Sequence, residues 1–151
     1  MSILISIISL LISIFTFIWN YNRNRFKMSV KIEAILVDAG RGYTIIPHVE
    51  NKSANPFSIS TISANGIESI IARTYDTNDK GRPTHKYTTK FPCDIDSYKS
   101  KRLLLFIPND QAMEDENKDF NLQVYTTRGK YRKTFNMLFF KKEISDLNQR
   151  R

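Results

Sequence analysis

Residues Phe120–Phe139 read FNLQVYTTRGKYRKTFNMLF. Phe120, Leu122 and Val124 alternate with Asn121, Gln123 and Tyr125. Beyond a short polar interruption, Tyr131, Phe135, Met137 and Phe139 alternate with Arg132, Thr134, Asn136 and Leu138. Period two marks half-buried strands, because successive side chains leave opposite faces of a sheet. Thr127-Arg128-Gly129-Lys130 reads as the tight turn joining them, with Gly129 supplying a positive φ. An antiparallel hairpin is therefore the unit from which the fold is built.

The same signal recurs upstream. Val30, Ile32, Ala34 and Leu36 alternate with Lys31, Glu33 and Ile35. Leu103–Ile107 is a continuous apolar run, suited to a strand buried on both faces. Further candidate strands cover about 43–50, 57–64, 67–75 and 85–92. They are separated by Asn51–Pro56, Asn65-Gly66, Asp76–Pro83 and Asp94–Ser100. Pro47 falls inside one of them and implies an edge or a bulge. No segment of 28–140 has a helical face. Seven or eight short strands in about 110 residues predict an all-β domain, an immunoglobulin- or fibronectin-like antiparallel sandwich, with a small barrel as the alternative. The domain is expected over 28–140, followed by a polar basic tail at 141–151 with room for one short helix.

The first 22 residues are different in kind. Every charged side chain lies in 23–151, and Ile3–Trp19 reads ILISIISLLISIFTFIW. As a helix this run spans roughly 25 Å, near the lower limit for a bilayer core, and extension to Tyr21 improves the match. Ile3 and Leu10 belong to the apolar body. Trp19 and Tyr21 fall where an interfacial aromatic belt would sit, and Arg23, Arg25 and Lys27 form a basic stop over 23–27. A cleaved signal peptide needs a basic n-region and small residues at the cleavage site, and neither is visible. A buried core helix is an alternative, but an all-round apolar helix at the terminus, followed by basic residues, fits it poorly. A membrane anchor over 1–22 is therefore the expectation. The charge asymmetry places the N-terminus outside and residues 23–151 in the cytoplasm. A single thiol, Cys93, agrees with a reducing compartment, where the Asn51-Lys52-Ser53 sequon carries no meaning. Ser6, Ser9, Ser13 and Thr16, with Ser2 and Asn20, recur at spacings of four and three, giving one small polar stripe. Such a stripe can associate membrane helices into a homo-oligomer, or each hydroxyl can bond its own helix carbonyl four residues back.

The soluble part offers little chemistry. The chain of 151 residues carries a net charge of +8 and one cysteine, which excludes a disulfide framework and a Cys-rich zinc site. His48, His85 and Cys93 are scattered without motif spacing. His48 reads as a sheet-face residue and Cys93 as a small buried strand-end residue. No phosphate-binding glycine loop, nucleophile elbow or His-Glu-x-x-His motif occurs. Asp94 and Asp96 share a face without a pocket and read as turn residues. Asp110, Glu114, Asp115, Glu116 and Asp119 lack calcium-loop spacing. The sequence thus assigns no catalytic residue, cofactor or metal, and the protein is read as a non-enzyme.

The basic residues say more. Arg128, Lys130, Arg132 and Lys133 crowd one hairpin. In an immunoglobulin-type sandwich that hairpin and the Asn51–Pro56 turn share the end that carries the domain's N-terminus. The hairpin would then face anionic headgroups, each basic group near the surface contributing about 1 kcal/mol. The acidic 110–119 loop would lie at the distal end. A basic surface serving solubility alone is the plainer reading. Nucleic acid is the third partner to weigh, since Tyr131 and Phe135 interleave with the basic residues. Alternation turns those rings toward the core, which disfavours it.

The apolar span, the basic stop, a strand ending Asn51-Lys52-Ser53 and Pro56 opening the next resemble a broad group of small bacterial and prophage membrane proteins, most of them uncharacterised. Phe91-Pro92 followed by Ile95–Ser100 is similar to a strand–turn–strand segment of that group. The resemblance implies one N-terminal transmembrane helix and an immunoglobulin-like sandwich, without the Cys…Trp…Cys core, because the single Trp lies in the anchor. The expected function is a membrane-anchored, non-catalytic interaction module that meets the bilayer and a protein partner. The resemblance also implies the alternative of a prophage-type exclusion or defence factor acting at the envelope. A nucleic-acid-binding module ranks last.

Overall fold

The computed structural model describes residues 2–38, 41–77, 83–108, 119–136 and 141–143. Helix α1 is Ser2–Asn24. The strands that follow are β1 (Met28–Asp38), β2 (Gly42–Asn51), β3 (Phe57–Ala64), β4 (Ile67–Glu68), β5 (Arg73–Thr77), β6 (Pro83–Tyr87), β7 (Cys93–Ile95), β8 (Ser100–Arg102), β9 (Leu105–Pro108), β10 (Asp119–Thr126), β11 (Gly129–Asn136) and β12 (Lys141–Glu143).

One sheet runs β12-β1-β2-β8, with β9 taking the next stretch of the same β2 edge. The other runs β11-β10-β3-β4, with β7 beside the first residues of β3. β5 and β6 form a separate ribbon. Among the described residues every strand pairing is antiparallel except β1 with β12. Val30, Ile45, Val49 and Leu105 of the first sheet meet Ile59, Ile62, Leu122 and Val124 of the second in one core, all fully buried. Each such side chain contributes about 1.5–3 kcal/mol by leaving water.

The alternation expected along β1 breaks in the middle. Ile32 pairs with Pro47 and Ala34 with Ile46, so Glu33 is an extra residue in a bulge. Pro47 lacks the N–H that a regular ladder would need there, and β2 is an interior strand, so the bulge rather than an edge accommodates it. The bulge inverts the phase. Val30, Ile32 and Ile35 face the main core, whereas Ala34 and Leu36 turn to the outer face. There they join Ile46 and Leu104 in a second, smaller cluster, closed by Tyr75 of the β5–β6 ribbon.

Other boundaries also differ from the sequence reading. The segment expected as one strand over 67–75 is three pieces: β4 pairs with β3, Ile70 makes a single bridge to Phe106, and β5 leaves for the ribbon. The chain is crossing between sheets, with Ser69 N–H on Ile62 O and Ile70 N–H on Phe106 O. The strand expected over 85–92 ends at Tyr87. Thr88 and Thr89 then donate their N–H groups to Ala72 and Leu104 and accept those residues' N–H groups on their hydroxyls. Asp94–Ser100, expected as a connection, lends its ends to β7 and β8. Lys141–Glu143, read as the start of a polar tail, is a parallel strand on β1. Met137–Phe140, the acidic positions from Asp110 to Glu116 and the tail beyond 143 lie outside the described residues.

Candidate functional site at the helix-bearing end

Within α1, Ile3–Asn24 has a mean hydropathy of 2.3 over its most apolar stretch, and none of that stretch is buried. At 1.5 Å per residue the 23-residue helix is about 35 Å long. It is long and apolar enough to cross a membrane, and a signal sequence meets the same criteria. Ile3, Leu10, Trp19 and Tyr21 are all exposed. In the polar stripe, Ser13 Oγ donates to Ser9 O at 2.9 Å and Thr16 Oγ1 to Ile12 O at 2.8 Å. These two hydroxyl protons are thus used inside the helix, which leaves only oxygen lone pairs to offer a neighbour.

Arg25-Phe26-Lys27 joins α1 to β1. Phe26 packs against the main core and meets Phe57 edge-on, with ring centroids 5.3 Å apart. A Cβ on Gly129 (φ +142°) would touch Phe26 at an ordinary 3.9 Å, so the backbone angle, not space, requires glycine there. Arg128 Nη2 donates to the carbonyl of Asn24 at 2.7 Å. That carbonyl ends the helix, where a cation is favoured by the unpaired oxygens and the dipole. Asn55 Nδ2 reaches Asn24 Oδ1 at 3.2 Å, and Lys52 N–H reaches Lys27 O at 2.9 Å. Hairpin tip, 51–56 turn and helix end are thus one hydrogen-bonded assembly.

The four basic residues of the hairpin do not form a single surface. Arg128 caps α1, and its Nη1 is buried with no hydrogen-bond partner among the described residues. Lys130 stands opposite Tyr125 on the outer face, its ammonium 4.6 Å from the ring centre. Arg132 shares that face two residues further along, about 7 Å beyond Lys130 from the tip. Lys133 lies on the inner face opposite Leu122 and reaches Val30 O at 3.3 Å, tying the edge of one sheet to the other. Phe135 is buried and stacks on Phe120, and Tyr131 packs against the core. Tyr131 and Phe135 are thus turned to the core, and the ring beside the outer-face cations is that of Tyr125.

Asn51, read from the sequence only as a turn residue and an idle sequon, has a structural role that the sequence did not show. Its side chain is buried, and Nδ2 donates to Asn55 O, Ile95 O and Asp96 O at 2.9, 3.3 and 3.0 Å. Its Oδ1 accepts from Ser53 N–H and Oγ at 2.9 and 2.6 Å. The amide cannot carry a glycan in this fold. Ser97 Oγ adds a bond to Ala54 O at 2.7 Å, and Asn51 N–H one to Lys99 O at 2.8 Å. The 51–56 and 96–99 turns are thereby locked side by side. Asparagine in a turn is a local signal, but its long-range partners, 44 and 45 residues away, are not readable from one sequence.

A second polar cluster lies on the outer face of the first sheet. Glu33, placed outward by the bulge, accepts from Arg102 Nε at 2.6 Å and faces His48 Nδ1 at 3.3 Å. Arg102 Nη2 and Lys86 Nζ both bind Asp76, at 2.7 Å each. Burial alone would raise the Asp76 carboxyl, but hydrogen bonds from Arg102 and Lys86, with their charges, hold it below its ordinary value. The hydrogen bond to Asp76 likewise raises Arg102, against burial, with help from Glu33. A shallow hollow of about 220 Å³ beside this cluster is lined by Ser29, Lys31, His48, Glu50 and Ser100. His85 lies elsewhere, tilted against Tyr75 at 4.3 Å. Cys93 is buried at the start of β7, and Asp94 takes the hydroxyl of Ser58. Among the described residues no three His, Cys, Asp or Glu side chains gather to hold a metal.

No protein-family model matches the chain, and no curated protein matches it in sequence. What the chain shares with the small bacterial and prophage membrane proteins it resembles is an N-terminal apolar helix followed by antiparallel sheets.

Proposed function

We propose that this protein is a single-pass membrane protein whose β domain is held base-down on the inner leaflet as a non-catalytic interaction module. The observation that carries this reading is the junction. A helix suited to a bilayer passes through three residues into the core, and Arg128 and Asn55 clasp its last residue. A domain so joined cannot swing freely, so the end bearing Arg23, Arg25, Lys27 and Lys130 stays at the headgroups. The strand order supports an immunoglobulin- or fibronectin-like reading: the β1–β2 hairpin lies in one sheet, and β3 crosses to pair with β10 of the β10–β11 hairpin. Away from α1, the exposed large hydrophobics among the described residues include Ile70, Ile71 and Tyr87, gathered on the flank where the ribbon leaves the sheet. A protein partner would dock there rather than on a catalytic cleft.

The test is topology. Fused after Arg151, a reporter active only in the cytoplasm should work and one active only outside should not. The reverse result would place the basic end against the outer leaflet or cell wall and make recognition outside the cell the function.

A further inference from the structure

We propose that the 96–99 turn is a second point of contact with the bilayer, seating Tyr98 among phospholipid headgroups with Lys99 and Lys52 against anionic lipid. This rests on the reading of α1 as a membrane anchor and adds to it the orientation of the domain.

The position of the turn comes first. Asp96 O accepts from Asn51 Nδ2 and Ser97 Oγ donates to Ala54 O, and Asn55, the next residue of the 51–56 turn, is bonded to Asn24 at the end of α1. The 96–99 turn therefore belongs to the end of the domain from which the helix leaves. None of the helix's apolar stretch packs on the domain, so it projects away and this end faces the bilayer it enters. The second consideration is exposure. Tyr98 is 65% exposed, comparable to Trp19 and Tyr21 on the helix at 61% and 63%. It holds φ at +55°, a region where a bulky side chain is disfavoured. An aromatic there gains little from the domain's own core. Tyrosine combines an apolar ring with a polar tip, the chemistry enriched at membrane interfaces. The third is charge. Lys99 is the next residue, its carbonyl bonded to Asn51, and Lys52 is bonded to Lys27. Glu50, Asp94 and Asp96 are the acids nearby; Asp94 takes the Ser58 hydroxyl, and Glu50 is paired with Lys52 at 3.4 Å. With Arg23, Arg25 and Lys130 at the same end, positive charge remains in excess. Helix, hairpin tip and 96–99 turn give three points, enough to define the tilt of the domain.

The test uses the full chain in phosphatidylcholine nanodiscs with and without phosphatidylserine. In the Trp19→Phe background, Tyr98→Trp supplies a single fluorophore, and a nitroxide on the lipid headgroup is the quencher. Quenching is expected, and it should be stronger with phosphatidylserine. Lys99→Gln should lower the ratio of seated to unseated domain about fivefold in the anionic discs, equivalent to about 1 kcal/mol. A fluorophore untouched by the headgroup nitroxide overturns the proposal. Equal quenching in both lipids, unchanged by Lys99→Gln, overturns its lysine half. The native chain separates the two readings. If Trp19 is quenched by lipid nitroxides and the Tyr98→Trp fluorophore is not, the anchor stands and the second contact fails. If Trp19 itself is unquenched, both fail.

Discussion

Asn51 joins three segments through one side chain, and its amide orientation is the point of the arrangement. Nδ2 faces three carbonyl oxygens and Oδ1 faces two donors of Ser53. Asn51→Ala should cost about 3 kcal/mol, from lost bonds and carbonyls left buried without donors. Asn51→Asp keeps the shape yet sets a carboxylate against those three oxygens. Its charged form is disfavoured in the fold, so its folded pKa is raised. The variant should be less stable than Asn51→Ala at neutral pH and recover as pH falls through that raised value. Thermal melts in detergent micelles at two pH values would show this, and a milder effect of Asp than of Ala at neutral pH would remove Asn51 from this role. Asp76 has the opposite sign. Its folded pKa lies below the ordinary 3.8, so its contribution is complete above that value and lost as pH falls through the lower one. Asp76→Asn should loosen the β5–β6 ribbon by about 2 kcal/mol, less than a fully buried pair, since Arg102 and Lys86 keep water contact. It should also abolish the acid sensitivity of the ribbon, read by amide exchange at Thr74 and Tyr75.

At the scale of elements, the strands legible in the sequence are those with an unbroken period. The β10–β11 hairpin is legible with its turn one residue late: the chain turns at Thr127-Arg128, and Gly129, at positive φ, already pairs with Thr126. β1 was legible as a strand, but its facing was not. Pro47 implies an edge or a bulge without saying which, or that Glu33, on the neighbouring strand, is the extra residue. Only the pairing reveals that Ala34 and Leu36 serve a different cluster from Val30 and Ile32. The 67–75 crossing failed for a related reason: period two runs on while the chain changes sheets. The candidate site divides in the same way. Helix and cations are local and visible, whereas the Arg128 contact to Asn24 and the Asn51 lock join residues far apart in sequence. The bulge is testable as an element. Glu33→Ala removes exposed ion contacts and should cost no more than about 1 kcal/mol. Inserting one residue after Glu33 should throw Ile35 outward and Leu36 inward along half a strand, and abolish cooperative melting. Similar melting curves for the two variants would mean that the register is held elsewhere.

For the whole molecule, the mechanical question is whether helix and domain move as one body. The contacts at the junction are few but placed well: Phe26 in the core, Arg128 on the last helical carbonyl, Asn55 on the Asn24 side chain. A flexible Gly-Ser insertion after Asn24 would leave Phe26 and every strand in place, so the domain should melt as before. It would separate Arg128 from the helix end and release the base from the bilayer plane. Arg128→Ala should do part of the same, losing a charge-assisted bond of about 1.5–3 kcal/mol while the short connection remains. A nitroxide on exposed Ser60 reports the difference by its tumbling in nanodiscs. The native chain should tumble with the disc, Arg128→Ala should add a faster component, and the insertion should be dominated by it. Equal mobility in all three would mean that the junction does not orient the domain. The orientation would then have to come from lipid contact alone, and the Tyr98 turn would carry more of it than the hairpin.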